Sequence, residues 1–450
     1  MKIIALNGLL GYGYSETALR NAFLEKPDVI GVDAGSTDPG PYYLGSGLSF
    51  TDENSVKRDL ALSLPEAVRK KIPFIIGSAG GSGAKEHVAW LRKIIDQIAK
   101  ENQLNFKIAV VYADVSPEYV LTKFSQGKIK AMGGLKATTE TIEQSNRIVA
   151  QLSIEPVIEA LDKGADVVVC GRLCDTAIYA APAIRAGYDP GLAFHMAKIM
   201  ECGSMCSEPL SASDVMMGVI EEKYFTLTPM NPIRRCTVPR VAAHTMYEQS
   251  NPYYIYEPNG MIDLKNCCYE QIDARSVRVS GSAYIPARQK TLKLEGTQLA
   301  GYRTIFIAGI NDRDTIAHID EILGGVKQFL LENLRDIPPS DYSVHLRRYG
   351  VTASDIANGC EGNLGIILDV TGKTPEISAT VCAVTRANML HYDYSGRKST
   401  AGNLAFPYSP SDIKIGAVYV FSLYHLCDVD DLMECANIVY ERYVDGKKIS

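Results

Sequence analysis

The stretch VIGVDAGSTDPGPYYLGSGLSF, residues 29–50, decides the fold that we predict for this chain. Its first four residues are apolar and predict a buried strand. A loop of Gly, Pro, Ser, Thr and Asp follows, and these residues form turns and supply side-chain oxygens. A polar loop at the carboxyl end of a strand is where α/β proteins bind ligands. An ordinary crossover loop also contains turn residues, but two carboxylates and two hydroxyls within six residues favour a functional site; they belong to Asp33, Ser36, Thr37 and Asp38.

Four further apolar runs also predict strands that end in polar loops. They are residues 2–7, 73–76, 107–112 and 166–170, and a helical pattern follows each of them. Strands that alternate with helices predict a parallel sheet with helices on both faces. We therefore predict an α/β fold in which the polar loops meet at one edge of the sheet.

The third predicted strand ends in a glycine-rich turn, GSAGGSGAK, at residues 77–85. Backbone N–H groups around Gly80, Gly81 and Ser82, together with Lys85 in the first helical turn, could hold a phosphate or a carboxylate. The turn lacks the Gly-Lys-[Ser/Thr] ending of a phosphate loop, so a nucleoside triphosphate is not implied. A tight turn with a solvated lysine explains the same residues equally well.

The fifth predicted strand ends in Gly171-Arg172-Leu173-Cys174-Asp175-Thr176. An arginine at a strand end can bind a carboxylate through two hydrogen bonds. Asp175 is interpreted either as a helix N-cap or as a site carboxylate. The candidates that we expect to converge at this edge are Asp33, Asp38, Lys85, Asp114, Arg172 and Asp175.

After about residue 230 the pattern changes to loop-rich segments and alternating strands. We predict strands at residues 276–281, 290–294, 302–308, 343–350 and 364–370, with a helix over 315–334. The predicted organisation is an α/β ligand-binding domain over residues 1–230 and an α+β domain over residues 231–450.

Composition excludes several classes of function. Of the 450 residues, 46% are hydrophobic and 22% are charged, as in globular proteins. The net charge of −6 gives no electrostatic case for a nucleic acid or an anionic membrane as partner. No apolar run approaches the roughly 20 residues of a membrane helix, and the first residues enter a strand without a secretory signal. We expect a cytoplasmic protein.

The 11 cysteines do not predict a disulfide scaffold. Cys202 and Cys206 are spaced like two zinc ligands, but a second pair at suitable spacing is missing from the sequence. Buried free thiols are therefore favoured over a structural zinc site.

Three segments carry a resemblance to a known family. They are DAGSTDPGPYYLGSG at residues 33–47, ADVVVCGR at 165–172 and KLEGTQLAGYRTIFIAGINDRDTIAHID at 293–320. With them, the chain resembles the acyclic terpene utilisation (AtuA-type) family over most of its length. The opening GLLGYGYSETA departs from the glycine turn and acidic–arginine pair of better-known members, which indicates a divergent branch. The resemblance implies breakdown of branched isoprenoid acids as acyl-CoA thioesters and identifies no catalytic residues.

Two functions are compatible with these patterns. The first is a catabolic lyase or hydratase acting next to a carboxylate or thioester, in which Lys85 and Arg172 bind the anion and Asp33, Asp38 and Asp175 serve catalysis. The alternative is an auxiliary, non-catalytic subunit that binds an acidic metabolite. In the first case, Asp38→Asn should abolish activity with little loss of thermal stability.

Cofactors and partners are only weakly specified. The oxygen-rich loop after Asp33 would suit Mg²⁺, but no pattern specifies a metal, and nucleotide, flavin and zinc signatures are lacking. The resemblance implies a small protein subunit encoded separately. We further expect a homo-oligomer that binds a small carboxylate or thioester, without nucleic-acid or membrane partners.

Overall fold

The computed structural model describes residues 1–6, 8–398 and 403–449. The chain forms two compact units. Unit 1 comprises Met1–Gln298 and Phe421–Ser450, and unit 2 comprises Leu299–Val420.

Most strands of the described residues are short, and the two longest span residues 291–310 and 413–428. In chain order they are β1 (Lys2–Leu6), β2 (Val29–Asp33), β3 (Phe74–Gly77), β4 (Phe106–Tyr112), β5 (Ile129–Ala131), β6 (Arg147–Gln151), β7 (Val167–Cys170), β8 (Ser207–Glu208), β9 (Val215–Ile220), β10 (Tyr224–Pro229), β11 (Arg235–Cys236), β12 (Tyr254–Glu257), β13 (Gly260–Asp263), β14 (Cys268–Gln271), β15 (Val277–Ser280), β16 (Ala283–Pro286), β17 (Thr291–Ile310), β18 (Tyr342–Gly350), β19 (Leu364–Gly372), β20 (Ile413–Asp428), β21 (Asn437–Val444) and β22 (Lys447–Lys448).

The helices are mostly short, and the longest pack on the sheets. In chain order they are α1 (Glu16–Leu24), α2 (Pro41–Ser46), α3 (Glu53–Arg69), α4 (Lys85–Asn102), α5 (Pro117–Ser125), α6 (Thr139–Glu143), α7 (Glu155–Asp162), α8 (Ala177–Arg185), α9 (Pro190–Met200), α10 (Val238–Thr245), α11 (Arg313–Ala317), α12 (Ile319–Asn333), α13 (Ala353–Ala357) and α14 (Pro375–His391). In the part of the chain that the structure describes, no helix is both long and apolar enough to cross a membrane.

Unit 1 is built on one large mixed sheet. Its strand order is β14-β15-β10-β9-β1-β2-β3-β7-β4-β21-β22. The five central strands, β1, β2, β3, β7 and β4, pair in parallel and are the five strands predicted from the sequence. The flanking strands pair antiparallel. The predicted α/β fold is confirmed, and strands β15 and β14 continue this sheet beyond residue 230.

Alternate residues of the central strands enter two different cores. Ile30 and Val32 pack against α3 and α4, whereas Val29 packs with the helices α8 and α9 on the other face. Because side chains alternate along a strand, Gly31 and Asp33 lie on the same face as Val29. Asp33 therefore ends β2 on the α8 and α9 side, and this placement decides which groups can reach it.

Unit 2 is an α+β body with its own core. The residues Tyr302–Ile310 of β17 pair antiparallel with β19, which pairs antiparallel with β18. Helices α12 and α14 pack on this sheet through Ile322, Val326 and Val381. The predicted strands at 290–294 and 302–308 are one continuous strand, β17, and the predicted helix over 315–334 is divided into α11 and α12.

Strand β6 was not predicted from the sequence. Residues 147–151 form β6, which pairs antiparallel with the first part of β17 so that Val149 lies opposite Glu295. This pairing within unit 1 places Glu295 beside the sheet edge described below.

We predict that Gly31→Ala lowers the free energy of unfolding by about 1–3 kcal/mol, because a side chain must be forced into a packed core. A Cβ at Gly31 would lie 2.6 Å from Ile178 Cγ2 and 2.7 Å from Tyr179 Cε1. Urea unfolding measures the change. Gly134→Ala is the control, since no described atom would lie within 4 Å of its Cβ. Equal stability of the two variants would contradict the packing described here.

Candidate active site

Three loops meet where the parallel strands β2, β3 and β7 end. A Cβ at Gly35, whose φ is +126°, would lie 3.0 Å from Gly81 Cα. A Cβ at Gly83, whose φ is +70°, would lie 2.1 Å from the backbone nitrogen of Arg172. Both positions require glycine, because the positive φ and the close backbone approach exclude a side chain. The loops after the three strands are therefore in direct contact.

A buried ion pair between Arg172 and Glu295 lies at the centre of these loops. Arg172 is 2% exposed and Glu295 is fully buried. Arg172 Nε donates a hydrogen bond to Glu295 Oε2 at 2.8 Å, and Nη2 donates to Oε1 at 3.4 Å. Two further donors satisfy Glu295, since Thr37 Oγ1 donates at 2.9 Å and Lys293 Nζ lies 2.7 Å from Oε1.

The other side of the Arg172 guanidinium is also occupied. Its Nη1 donates to the carbonyl oxygen of Leu173 at 2.9 Å and to Ser78 Oγ at 3.3 Å. Burial raises the pKa of Glu295, but the charges of Arg172 and Lys293 outweigh that effect and lower it to about 2. Glu295 is therefore ionised throughout the neutral range, and Arg172 is held in one orientation.

Asp33 and Asp175 form a second group of charges next to this ion pair. Asp33 is buried, and its Oδ1 accepts a hydrogen bond from the Gly35 backbone at 3.2 Å. Desolvation raises the pKa of Asp33 well above its ordinary value, and the charge of Asp175 raises it further. Asp175 Oδ1 lies 3.6 Å from Arg172 Nη1, and its side chain is 30% exposed.

Asp175 lies in a different electrostatic environment from Asp33. Burial raises the pKa of Asp175 above its ordinary value, although the charges of Arg172, Lys198 and Lys293 all act to lower it. The charges of Asp175 and Glu201 raise the pKa of Asp33. Among the largest charge contributions to this pKa, only that of Arg172 lowers it. Asp33 therefore has fewer cationic neighbours than Asp175, which favours protonation of Asp33 over protonation of Asp175.

Behind Asp33 lies a second set of buried ionisable groups. Helix α9 is buried along its length, and Lys198 Nζ on it donates a hydrogen bond to Glu201 Oε1 just beyond its end. Burial raises the pKa of Glu201 to about 8 and that of Glu257 to about 7. Thr176 Oγ1 donates to Glu257 Oε2 at 2.7 Å. These carboxyls can gain or lose a proton near neutral pH.

Most of the residues predicted from the sequence are brought together here. Asp33, Thr37, Arg172 and Asp175 belong to the two charge groups above. Asp38 is exposed, accepts a hydrogen bond from Ser36 Oγ at 2.6 Å, and raises the pKa of Asp175. The structure places the remaining glycine-loop residues in the touching turns: Gly80, Gly81 and Ser82 are all buried.

Lys85 and Asp114 lie apart from this group. Both line a cavity of about 400 Å³ together with Arg147, and the site residues Asp33, Arg172 and Asp175 do not line it. The Lys85 backbone N–H donates to Asp114 Oδ1 at 3.1 Å, while the Lys85 side chain is exposed. Lys85 lies apart from the site because α4, which begins at Lys85, packs on the face of the sheet opposite α8 and α9.

Neither Asp114 nor Asp175 occupies the N-cap position of the helix that follows it. Ser116, not Asp114, caps α5, and Thr176, not Asp175, occupies the N-cap position of α8. Ser15 caps α1, since its hydroxyl accepts a hydrogen bond from the backbone N–H of Ala18.

Sequence reasoning missed five of the charged groups in this site: Lys198, Glu201, Glu257, Lys293 and Glu295. For Lys198 and Glu201 a signal was available, because opposite charges three residues apart in an otherwise apolar helix indicate a buried ion pair. Lys293 and Glu295 alternate with apolar residues in β17, a pattern that is equally typical of a solvent-facing strand.

Within the described residues, no three His, Cys, Asp or Glu side chains are arranged to hold a metal ion. All eleven cysteines are free thiols, and Cys206 Sγ lies 3.9 Å from Cys236 Sγ.

Comparison with known proteins identifies a family. A sequence model of the acyclic terpene utilisation family protein AtuA matches residues 52–218 and 226–400, which together form most of the chain. The matched residues include Arg172, Asp175 and Glu295, whereas the loop after Asp33 precedes them. The resemblance inferred from the sequence is confirmed. No curated protein and no solved structure matches the chain.

We predict that Glu295→Gln destabilises the protein by about 3–5 kcal/mol at pH 7, because it leaves Arg172 and Lys293 with an uncompensated buried charge. The pKa of Glu295 is lowered from 4.5 to about 2 in the folded protein. Its ionised form therefore stabilises the fold fully above pH 4.5, and this contribution is lost as the pH falls towards 2. Urea unfolding should show a smaller difference between wild type and variant at pH 3 than at pH 7.

The control for this series is Glu66→Gln, which removes a solvent-exposed pair with Lys70. It should change the stability little at either pH. A Glu295→Gln variant as stable as this control would contradict the central role of the ion pair.

Glu201→Gln should reveal a pH dependence of the opposite sign. The pKa of Glu201 is raised from 4.5 to about 8, so the folded state retains a proton that the unfolded state releases. Stability from this group is complete below pH 4.5 and declines as the pH rises to about 8, by at most about 1.4 kcal/mol per pH unit. The free energy of unfolding of the wild type should fall relative to that of the variant between pH 5 and 8. A pH-independent difference would contradict the raised pKa.

Proposed function

We propose that this chain, which belongs to the acyclic terpene utilisation AtuA family, is a catabolic enzyme that acts on a small carboxylic acid or an acyl-CoA thioester. The reaction class that its site supports best is that of a lyase, specifically the addition or removal of water next to a carbonyl group. The observation that carries the proposal is the pairing of Asp33 with Asp175 in unequal electrostatic environments.

The two carboxyls supply an acid and a base at the same pH. Burial raises the pKa of Asp175, but Arg172, Lys198 and Lys293 act against that effect. The carboxylate of Asp175, which can accept a proton, is therefore favoured relative to that of Asp33. Asp33 is desolvated and lies close to other carboxylates, which favours its protonated form. Pairs of carboxyls whose environments separate their pKa values recur in acid–base catalysis.

In the direction of water removal, the Asp175 carboxylate takes the proton from the carbon next to the substrate carbonyl. The electron pair of that C–H bond forms the new double bond, and the bond to the hydroxyl on the neighbouring carbon breaks. The Asp33 carboxyl gives its proton to the departing hydroxyl, which leaves as water. A proton then moves from Asp175 to Asp33, which restores the starting state.

Arg172 would assist this reaction through its charge. It would not bind the substrate through two hydrogen bonds. Most of its donors are already engaged by Glu295, Leu173 and Ser78. Its fixed positive charge lies next to Asp175 and would stabilise negative charge that develops on the substrate carbonyl. Lys85 lines a different cavity, so the proposal gives it no contact with the reacting atoms.

Proton exchange in D₂O tests the proposed chemistry most directly. The purified chain is incubated with crotonyl-CoA, 3-hydroxybutyryl-CoA and the corresponding free acids, and deuterium incorporation next to the carbonyl is followed by NMR. We expect exchange or interconversion of at least one pair by the wild type. Asp175→Asn should reduce the rate by about 10²–10⁴-fold, the usual contribution of a general base.

Two further variants sharpen this test. Asp38→Asn should have the smaller effect, because Asp38 is exposed and hydrogen-bonded to Ser36; a larger effect would identify Asp38 as the base. Glu140→Gln, on the exposed surface, is the matched control. Folded wild type that exchanges no probe would contradict the proposal and favour the auxiliary binding subunit.

A further inference from the structure

Tyr179 carries a buried hydroxyl that the fold does not use. The residue is fully buried in α8, and its Oη has no hydrogen-bond partner among the described residues. A buried hydroxyl without a partner costs about 1–3 kcal/mol, and nearly all such groups in folded proteins are satisfied. A hydrogen-bond partner from outside the chain would remove that cost.

The ring of Tyr179 packs against strand β2 at Gly31, a residue that has no side chain. A Cβ at Gly31 would lie 2.7 Å from Tyr179 Cε1 and 3.0 Å from Cδ1, so the ring lies directly against β2. Gly31 and Asp33 point to the same face of that strand. The tyrosine thus packs beside the residue that precedes Asp33 on this face.

Charged groups of the candidate site affect the pKa of the Tyr179 hydroxyl. Burial is the largest effect and raises the pKa of Tyr179, and the charge of Asp33 is the next largest, ahead of Cys202, Glu201 and Asp175. The phenol therefore remains protonated and can donate a hydrogen bond, but it cannot serve as a base.

An acceptor in the same site is also unused. Asp175 Oδ1 is buried and has no hydrogen-bond partner among the described residues, although Arg172 Nη1 lies 3.6 Å away. Tyr179 Oη and Asp175 Oδ1 thus both lack a hydrogen-bond partner among the described residues, and charge interactions couple both residues to Asp33.

We infer that Tyr179 is a catalytic residue whose Oη donates a hydrogen bond to the substrate carbonyl oxygen. The inference rests on the proposed function, because it assigns Tyr179 to the carbonyl next to the carbon that Asp175 deprotonates. When that proton leaves, negative charge moves onto the carbonyl oxygen, and a preorganised donor stabilises it more strongly than it stabilises the ground state.

The test uses Tyr179→Phe, which removes only the hydroxyl. Its melting temperature should equal or exceed that of the wild type, since no hydrogen bond is lost. Its kcat in the exchange assay should fall by about 10²–10³-fold, the usual loss for one such donor, with a smaller change in KM. Tyr440→Phe is the matched control, because Tyr440 Oη also lacks a partner but lies on β21, away from the site. Wild-type kcat in Tyr179→Phe would overturn the inference.

A second measurement separates this inference from the proposed function. In protein with ¹³Cζ-labelled tyrosine, the signal absent from Tyr179→Phe is followed while crotonyl-CoA and crotonate are added. A shift of this signal without any exchange would support the hydroxyl contact and contradict the lyase proposal. Exchange by the wild type without any shift of the signal would overturn the hydroxyl contact and leave the proposed function in place. Neither exchange nor shift would overturn both.

Discussion

The buried ion pair between Arg172 and Glu295 is the interaction on which the carboxyl edge of the sheet depends. Removing two charges from water is costly, and the cost is offset only when every remaining donor and acceptor is satisfied. Here Thr37, Lys293, Ser78 and the Leu173 carbonyl complete that set. These groups come from the loop after β2, the end of β3, the end of β7 and the start of β17, so the ion pair fixes all four relative to one another.

A fixed positive charge at Arg172 gives the neighbouring carboxyls unequal roles. Asp175 lies within 3.6 Å of it, whereas Asp33 lies deeper, close to Asp175 and Glu201. The site thus combines the ion pair of Arg172 and Glu295 with carboxyls whose pKa values are raised, Asp33 and Glu201. The unpartnered hydroxyl of Tyr179 on α8 adds a donor that remains protonated. Membership of the AtuA family agrees with a catabolic role, and the reaction is inferred from these residues alone.

The sequence predicted what depends on local patterns. Apolar runs and glycine turns identified the five parallel strands, and the rule that polar groups at their carboxyl ends converge identified Asp33, Thr37, Arg172 and Asp175. Glu295 could not be found in this way, because it reaches Arg172 only through the pairing of β17 with β6, a contact between distant segments. Lys85 was grouped with the others because it follows a strand end, but the face on which α4 packs is decided by tertiary packing.

The distribution of one proton between Asp33 and Asp175 is the central claim, and ¹³C NMR of labelled aspartate carboxyls tests it directly. The two signals are assigned with Asp33→Asn and Asp175→Asn and followed from pH 4 to pH 9. The account predicts that Asp33 stays protonated at neutral pH while Asp175 is ionised, and that Asp175→Asn lowers the pKa of Asp33. Ionisation of both carboxyls near the ordinary aspartate value would contradict it.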